Sequence, residues 1–82
     1  MMHRSLSTIA TEISQSWPRV SFSAQPYLDA MMELDTLGDW YRADDAVSIV
    51  VYFLSNAGGW RGPEARRIKA ELKAMIAGFT GE

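Results

Sequence analysis

The chain has no cysteine, a single histidine and no apolar run long enough to cross a bilayer. Without cysteine there is neither a disulfide framework nor a thiolate zinc site, so the rules of small secreted scaffolds do not apply and a reducing cytoplasm is the expected compartment. The lone His3 removes histidine pairs as acid–base catalysts and most transition-metal sites. The longest apolar stretch, residues 46–54 interrupted only by Ser48, falls far short of the roughly 20 residues of a membrane span. The opening MMHRSLSTIATEIS has its apolar residues spaced for one helix face and lacks the continuous apolar core of a signal peptide. No serine stands in a strand–turn–helix elbow, and the glycines before Pro63 lack the Gly-Lys-Ser/Thr ending of a phosphate loop. The acids do not follow the alternating spacing of a calcium loop. A non-enzymatic chain with no cofactor and no metal is therefore expected.

What is present is a globular composition, 48% hydrophobic, 11% aromatic and 22% charged over 82 residues, which predicts one helical domain spanning residues 1–82. A domain of this size buries only about 60–65% of the surface its unfolded chain exposes, so the core is thin. The net charge of −2 argues against broad nucleic-acid affinity. The charge is uneven, however. Asp29, Glu33, Asp35, Asp39, Asp44 and Asp45 face only Arg42, whereas Arg61, Arg66, Arg67, Lys69 and Lys73 face only Glu64 and Glu71.

Helical periodicity recurs four times. Leu6, Ile9, Ala10, Ile13 and Trp17 share one face, with Ser5 as N-cap and Pro18 as the stop. Val20 and Phe22 then alternate with polar residues, which predicts an extended connector pinned by those two side chains. Pro26 opens a second helix with Tyr27, Leu28, Met31, Met32 and Leu34 on its apolar face, and Gly38 is expected to close it. The third segment, ADDAVSIVVYFLSNA, is rich enough in β-branched residues for a buried strand. Its opening acids and three-turn length favour a helix, capped by Asp39 or Asp44 and ended by a left-handed Gly58. Apolar side chains cover more than half of its circumference, so it should sit in the middle of the bundle. The fourth helix starts at Pro63 and carries Ile68, Leu72, Met75, Ile76 and Phe79 on one stripe, before Gly78 and Gly81 release the tail.

The corner SNAGGWRGP between the last two helices explains its glycines and proline as turn and cap residues. Trp60 and Arg61 remain. Trp60 either folds over the helix ends as a lid or stands out as an anchor, Trp and Arg being the residues most enriched at interface hot spots. The same corner also reads as a helix-turn-helix elbow, whose second helix would expose Arg66, Lys69 and Lys73 to DNA. Ala70, Ala74 and Ala77 beside Arg67 leave the opposite side of that helix without long side chains.

The segment YFLSNAGGWRGPEARRIKAELKAM at residues 52–75, with YLDAM at residues 27–31, resembles a pattern in short proteins of actinobacterial phages and their hosts' prophages. There a YFL-x-NA motif leads through W-R-G into a helix ending near KAELK. The resemblance brings no activity with it; it implies a small phage gene product, a class that often binds and blocks host proteins, including components of defence systems.

The expected fold is all-α, a small compact bundle of about four helices with the third central. The expected function is that of a protein-binding module acting on a host protein in the cytoplasm, a defence component or a nucleic-acid-handling protein. Its candidate contacts are Asp29, Glu33, Asp39, Asp44, Asp45, Trp60 and Arg61. The alternatives are a DNA-binding regulator using Arg66, Lys69 and Lys73, and a self-associating structural protein, for which a homodimer is the simplest form.

Overall fold

Helix formation begins where the sequence places the first cap. In the computed structural model, which describes residues 4–79, Ser5 accepts the Thr8 N–H and starts helix α1 (Leu6–Ser16). Two N–H groups at that helix start, those of Leu6 and Ser7, donate to the carbonyls of Asp35 and Leu34. The N-terminus of α1 is thereby sewn to the segment after helix α2 (Gln25–Met31). Helix α2 ends before that segment. Residues 30–34 close in tight turns, Glu33 N–H to Ala30 and Leu34 N–H to Met31, so the helix stops at Met31 and Gly38 does not close it.

The connector between α1 and α2 is a turn, not an extended segment. Ser21 accepts the Ala24 and Gln25 N–H groups through its carbonyl and donates its hydroxyl to Asn56. This bond pins the connector. Val20 packs against the core as expected, but the turn throws Phe22 outwards to 96% exposure.

Before the third helix the chain makes a small antiparallel hairpin, β1 (Trp40–Tyr41) and β2 (Asp44–Asp45), with Trp40 opposite Asp45. The fold is thus mostly helical without being strictly all-α. Strand pairing also moves the cap of α3 (Ala46–Ser55): Asp45, rather than Asp39 or Asp44, accepts the Ser48 N–H and hydroxyl. The β-branched run is a helix, and its Ala46, Ile49, Val50 and Phe53 are buried. The helix packs against α2 and α4 (Pro63–Phe79), while Val51, Tyr52 and Ser55 remain on the surface. Its apolar girth is narrower than the sequence suggests.

At the corner before α4 the left-handed residue is Gly62, at φ +107°, and not Gly58. Gly62 accepts the Arg66 N–H through its carbonyl, as an N-cap does. Ala65, Ile68, Leu72 and Met75 form the buried stripe of α4, and Gly78 lies inside the helix instead of ending it. Phe79, at the end of that stripe, is exposed. His3 and Gly81 lie outside the described residues. The Cα radius of gyration is 11.6 Å, against about 11.7 Å for a compact chain of this length.

Candidate functional site

The α3–α4 corner is built around Trp60. Its ring is 2% exposed, lies parallel to Trp17 at 5.6 Å and meets Phe53 edge-on at 6.3 Å. Trp60 is therefore the lid of the core and is removed from the candidate contacts. Lys69 is a second correction. Its ammonium donates to the Ala57 and Trp60 carbonyls at 2.7 Å each and stands 5.7 Å from the Trp60 ring centroid. Burial, then the neighbouring Lys73 and Arg61, holds its pKa below the usual lysine value. Lys69 thus points into the corner, donating to two carbonyls of the turns that follow α3, of which Ala57 also accepts the Trp60 N–H, and does not stand on an outward face with Arg66 and Lys73. Those two and Arg61 are exposed.

The acids divide by role. Asp39 accepts the backbone N–H groups of Asp35 and Thr36 through one carboxylate oxygen, and those bonds hold its pKa below the usual range. Asp45 is lowered in the same way by the Ser48 hydroxyl and N–H. Asp29 accepts from Gln25 one turn earlier, while Glu33 and Asp44 are exposed. Among the described residues no group of three acids or histidines could hold a metal. Asp39 and Asp45 are thus structural first, and Asp44, Glu33 and Asp29 are the acids whose charge faces solvent.

The hairpin supplies what sequence reasoning passed over. Trp40 is 66% exposed, whereas its neighbour Tyr41 packs against the core. Arg42, the first loop residue, takes φ 58°, a left-handed conformation that a side chain other than glycine adopts at a penalty. Its guanidinium lies 5.3 Å from the Tyr41 ring centroid, a contact that helps hold the turn. The pairing of Trp40 with Asp45, the N-cap of α3, anchors the hairpin to a rigid element. The available signal was the short WYRADD alternation, too brief to register as a strand pair.

A chain of ion pairs, also missed, joins α1 to α4. Glu12 is shared by Arg4 and Arg67; Arg4 also binds Glu71, and Arg67 also binds Glu64. Hydrogen bonds from the two arginines hold the Glu12 pKa below its ordinary value. These pairs fix α1 and α4 as antiparallel neighbours, since Arg4 meets Glu71 at one end and Trp17 stacks on Trp60 at the other.

The molecule therefore has two poles. One holds the 18–24 turn with Arg19 and Phe22, the end of α3 and the start of α4 with Arg61 and Arg66. Arg4, residues 34–45 and the end of α4 make up the other. At this second pole a groove of about 440 Å³ opens between the 35–38 segment and α4, lined by Leu37, Met75 and Phe79, with Arg4, Asp35 and Thr36 beside them. Gly38 and Gly78 also line it. Asp35, Asp39, Asp44 and Asp45 make this pole acidic, while its cations Arg4 and Arg42 are taken up by Glu12 with Glu71 and by the Tyr41 ring.

No helix among the described residues is long and apolar enough to cross a membrane. No protein-family model, curated protein or solved structure matches the chain.

Proposed function

We propose that the chain is a non-enzymatic protein-binding module, phage-encoded as its resemblance suggests, which holds a host protein in the host cytoplasm through the acidic pole. One observation carries the reading: an indole exposed to 66% stands on a hairpin whose turn is strained at Arg42 and whose second strand caps a helix. Strained backbone persists only where its surroundings hold it, and such places cluster at functional sites. Trp and Arg on a pre-organised turn lose little freedom on binding. Exposed carboxylates at Asp44 and Asp35 on the same pole as the indole suit a partner pocket rimmed by cations, such as a nucleic-acid-handling or defence protein offers. In this reading Trp40 replaces Trp60 as the anchor.

The test is an affinity pull-down of the tagged chain from host lysate, with nuclease, comparing wild type with Trp40→Ala and Asp44→Lys. One protein recovered stoichiometrically by wild type, and lost in Trp40→Ala at unchanged melting temperature, supports the reading. Equal recovery by Trp40→Ala refutes it. Recovery that disappears with nuclease moves the working surface to Arg66 and Lys73 and supports a DNA-binding regulator instead.

A further inference from the structure

Phe22 and the groove lie at opposite poles of the molecule and match each other in chemistry. Phe22 is 96% exposed on a turn whose backbone is held by Ser21, so the turn carries its ring out into water. A single exposed apolar side chain is ordinary; this one stands on a backbone-held turn, from which it can enter a cleft on another molecule. The groove at the far pole measures about 440 Å³, within the range of roughly 300–1,000 Å³ of sites that enclose small apolar groups. Its apolar lining comes from Leu37, Met75 and Phe79. Charge follows the same axis: Arg19, Arg61 and Arg66 stand exposed at the pole of Phe22, and Asp35 lines the groove together with Arg4, whose guanidinium is paired with Glu12 and Glu71.

We infer that the groove receives Phe22 of a second copy of this chain, so that copies associate head to tail. An apolar knob and a complementary pocket at different places on one surface make a heterologous contact, which leaves a free knob at one end and a free groove at the other. The opposite charge of the two poles orients the encounter and opposes head-to-head pairing. A contact made by one turn in one groove is small, so association is weak and depends on concentration. It draws on the same acidic pole as the proposed host interaction but does not use the Trp40 indole, so Trp40→Ala separates the two.

Sedimentation equilibrium at low ionic strength tests this with full-length chains. Wild type should move from 9.2 kDa to larger, unclosed masses as its concentration rises from about 10 µM to about 1 mM, a range set by the small contact. Phe22→Ser removes the knob at an exposed position. Gly78→Leu adds a bulky side chain at the groove wall at a position where a Cβ meets nothing within 4 Å, and leucine favours the helix over glycine. Each variant alone should remain monomeric. An equimolar mixture of the two should form a dimer and nothing larger, because one chain brings the intact groove and the other the intact Phe22. Trp40→Ala should associate as wild type does. Wild type that stays monomeric across the range, association that survives Phe22→Ser, or a mixture that stays monomeric would each overturn the inference.

Discussion

Lys69→Met isolates the corner from every other use of the basic helix. Methionine keeps most of the aliphatic stem against Trp60 while removing the ammonium and its bonds to the Ala57 and Trp60 carbonyls at 2.7 Å. A hydrogen bond from a charged donor contributes about 1.5–3 kcal/mol, and loss of the cation above the indole adds about 0.5–1 kcal/mol. Two effects offset this: the substitution relieves a charge that burial already disfavours, and Lys69 is only half-buried, so water can reach part of what it leaves. A net loss of about 2 kcal/mol follows, which for a domain of this size lowers Tm by roughly 8–16 °C. Lys73→Met is the control, because it removes the same charge from an exposed site one turn away and should change stability by less than about 0.5 kcal/mol. Circular dichroism during thermal and urea unfolding at pH 7 reads both. Because the folded pKa of Lys69 lies below its unfolded value, the unfolded chain binds that proton more tightly, so the wild-type advantage should not shrink as the pH rises toward 10. A Lys69→Met variant that melts with wild type, or a Lys73→Met variant that loses as much, would refute the capping role and return Lys69 to the outward face.

The other expectations use the same measurements. Trp60→Ala removes a buried ring from between Trp17 and Phe53 and should cost about 3–5 kcal/mol, against about 4–12 kcal/mol for the whole fold, whereas Trp40→Ala should melt within a few degrees of wild type; equal losses in the two would contradict their burial. The pKa values of Glu12, Asp39 and Asp45 are all lowered by folding, so the unfolded chain takes up more protons as the pH falls, and stability should decline below about pH 4.5. A melting temperature constant from pH 6 to pH 3 would disprove those bonds. Arg42→Gly relieves a left-handed backbone at some entropic expense in the unfolded chain and should raise stability by about 0.5 kcal/mol. Clear destabilisation would mean that the Arg42–Tyr41 contact outweighs the strain.

Much of the fold was legible in local pattern. The Ser5 cap, the α1 face, Pro63 at the start of α4 and its Ile68–Leu72–Met75 stripe follow from spacing alone and stand in the structure. What failed depended on partners distant in sequence. Gly38 does not close α2 because the chain has already turned at residues 30–34, just before carbonyls that the start of α1 holds. Gly58 is not left-handed, because residues 56–60 leave α3 through turns and Lys69 reaches back to two of their carbonyls. Two of the exposed aromatics escaped local pattern for related reasons: Phe22, expected to pin the connector, alternates with polar neighbours yet sits in a turn, and Trp40, which no pattern singled out, belongs to a strand pair of two residues each. Of the candidate contacts, the exposed acids and Arg61 keep their place on the surface, and Trp60 does not.

The three tryptophans give the molecule its own optical reporters. Trp17 and Trp60 lie nearly parallel, with 9° between their planes, so their strong far-ultraviolet transitions should couple into a paired circular-dichroism band that exists only while the core is assembled. Trp40 stands in water at the opposite pole, where its emission should be red-shifted and open to quenching. Folding and any event at the acidic pole can therefore be followed in one unlabelled sample, each from its own chromophore.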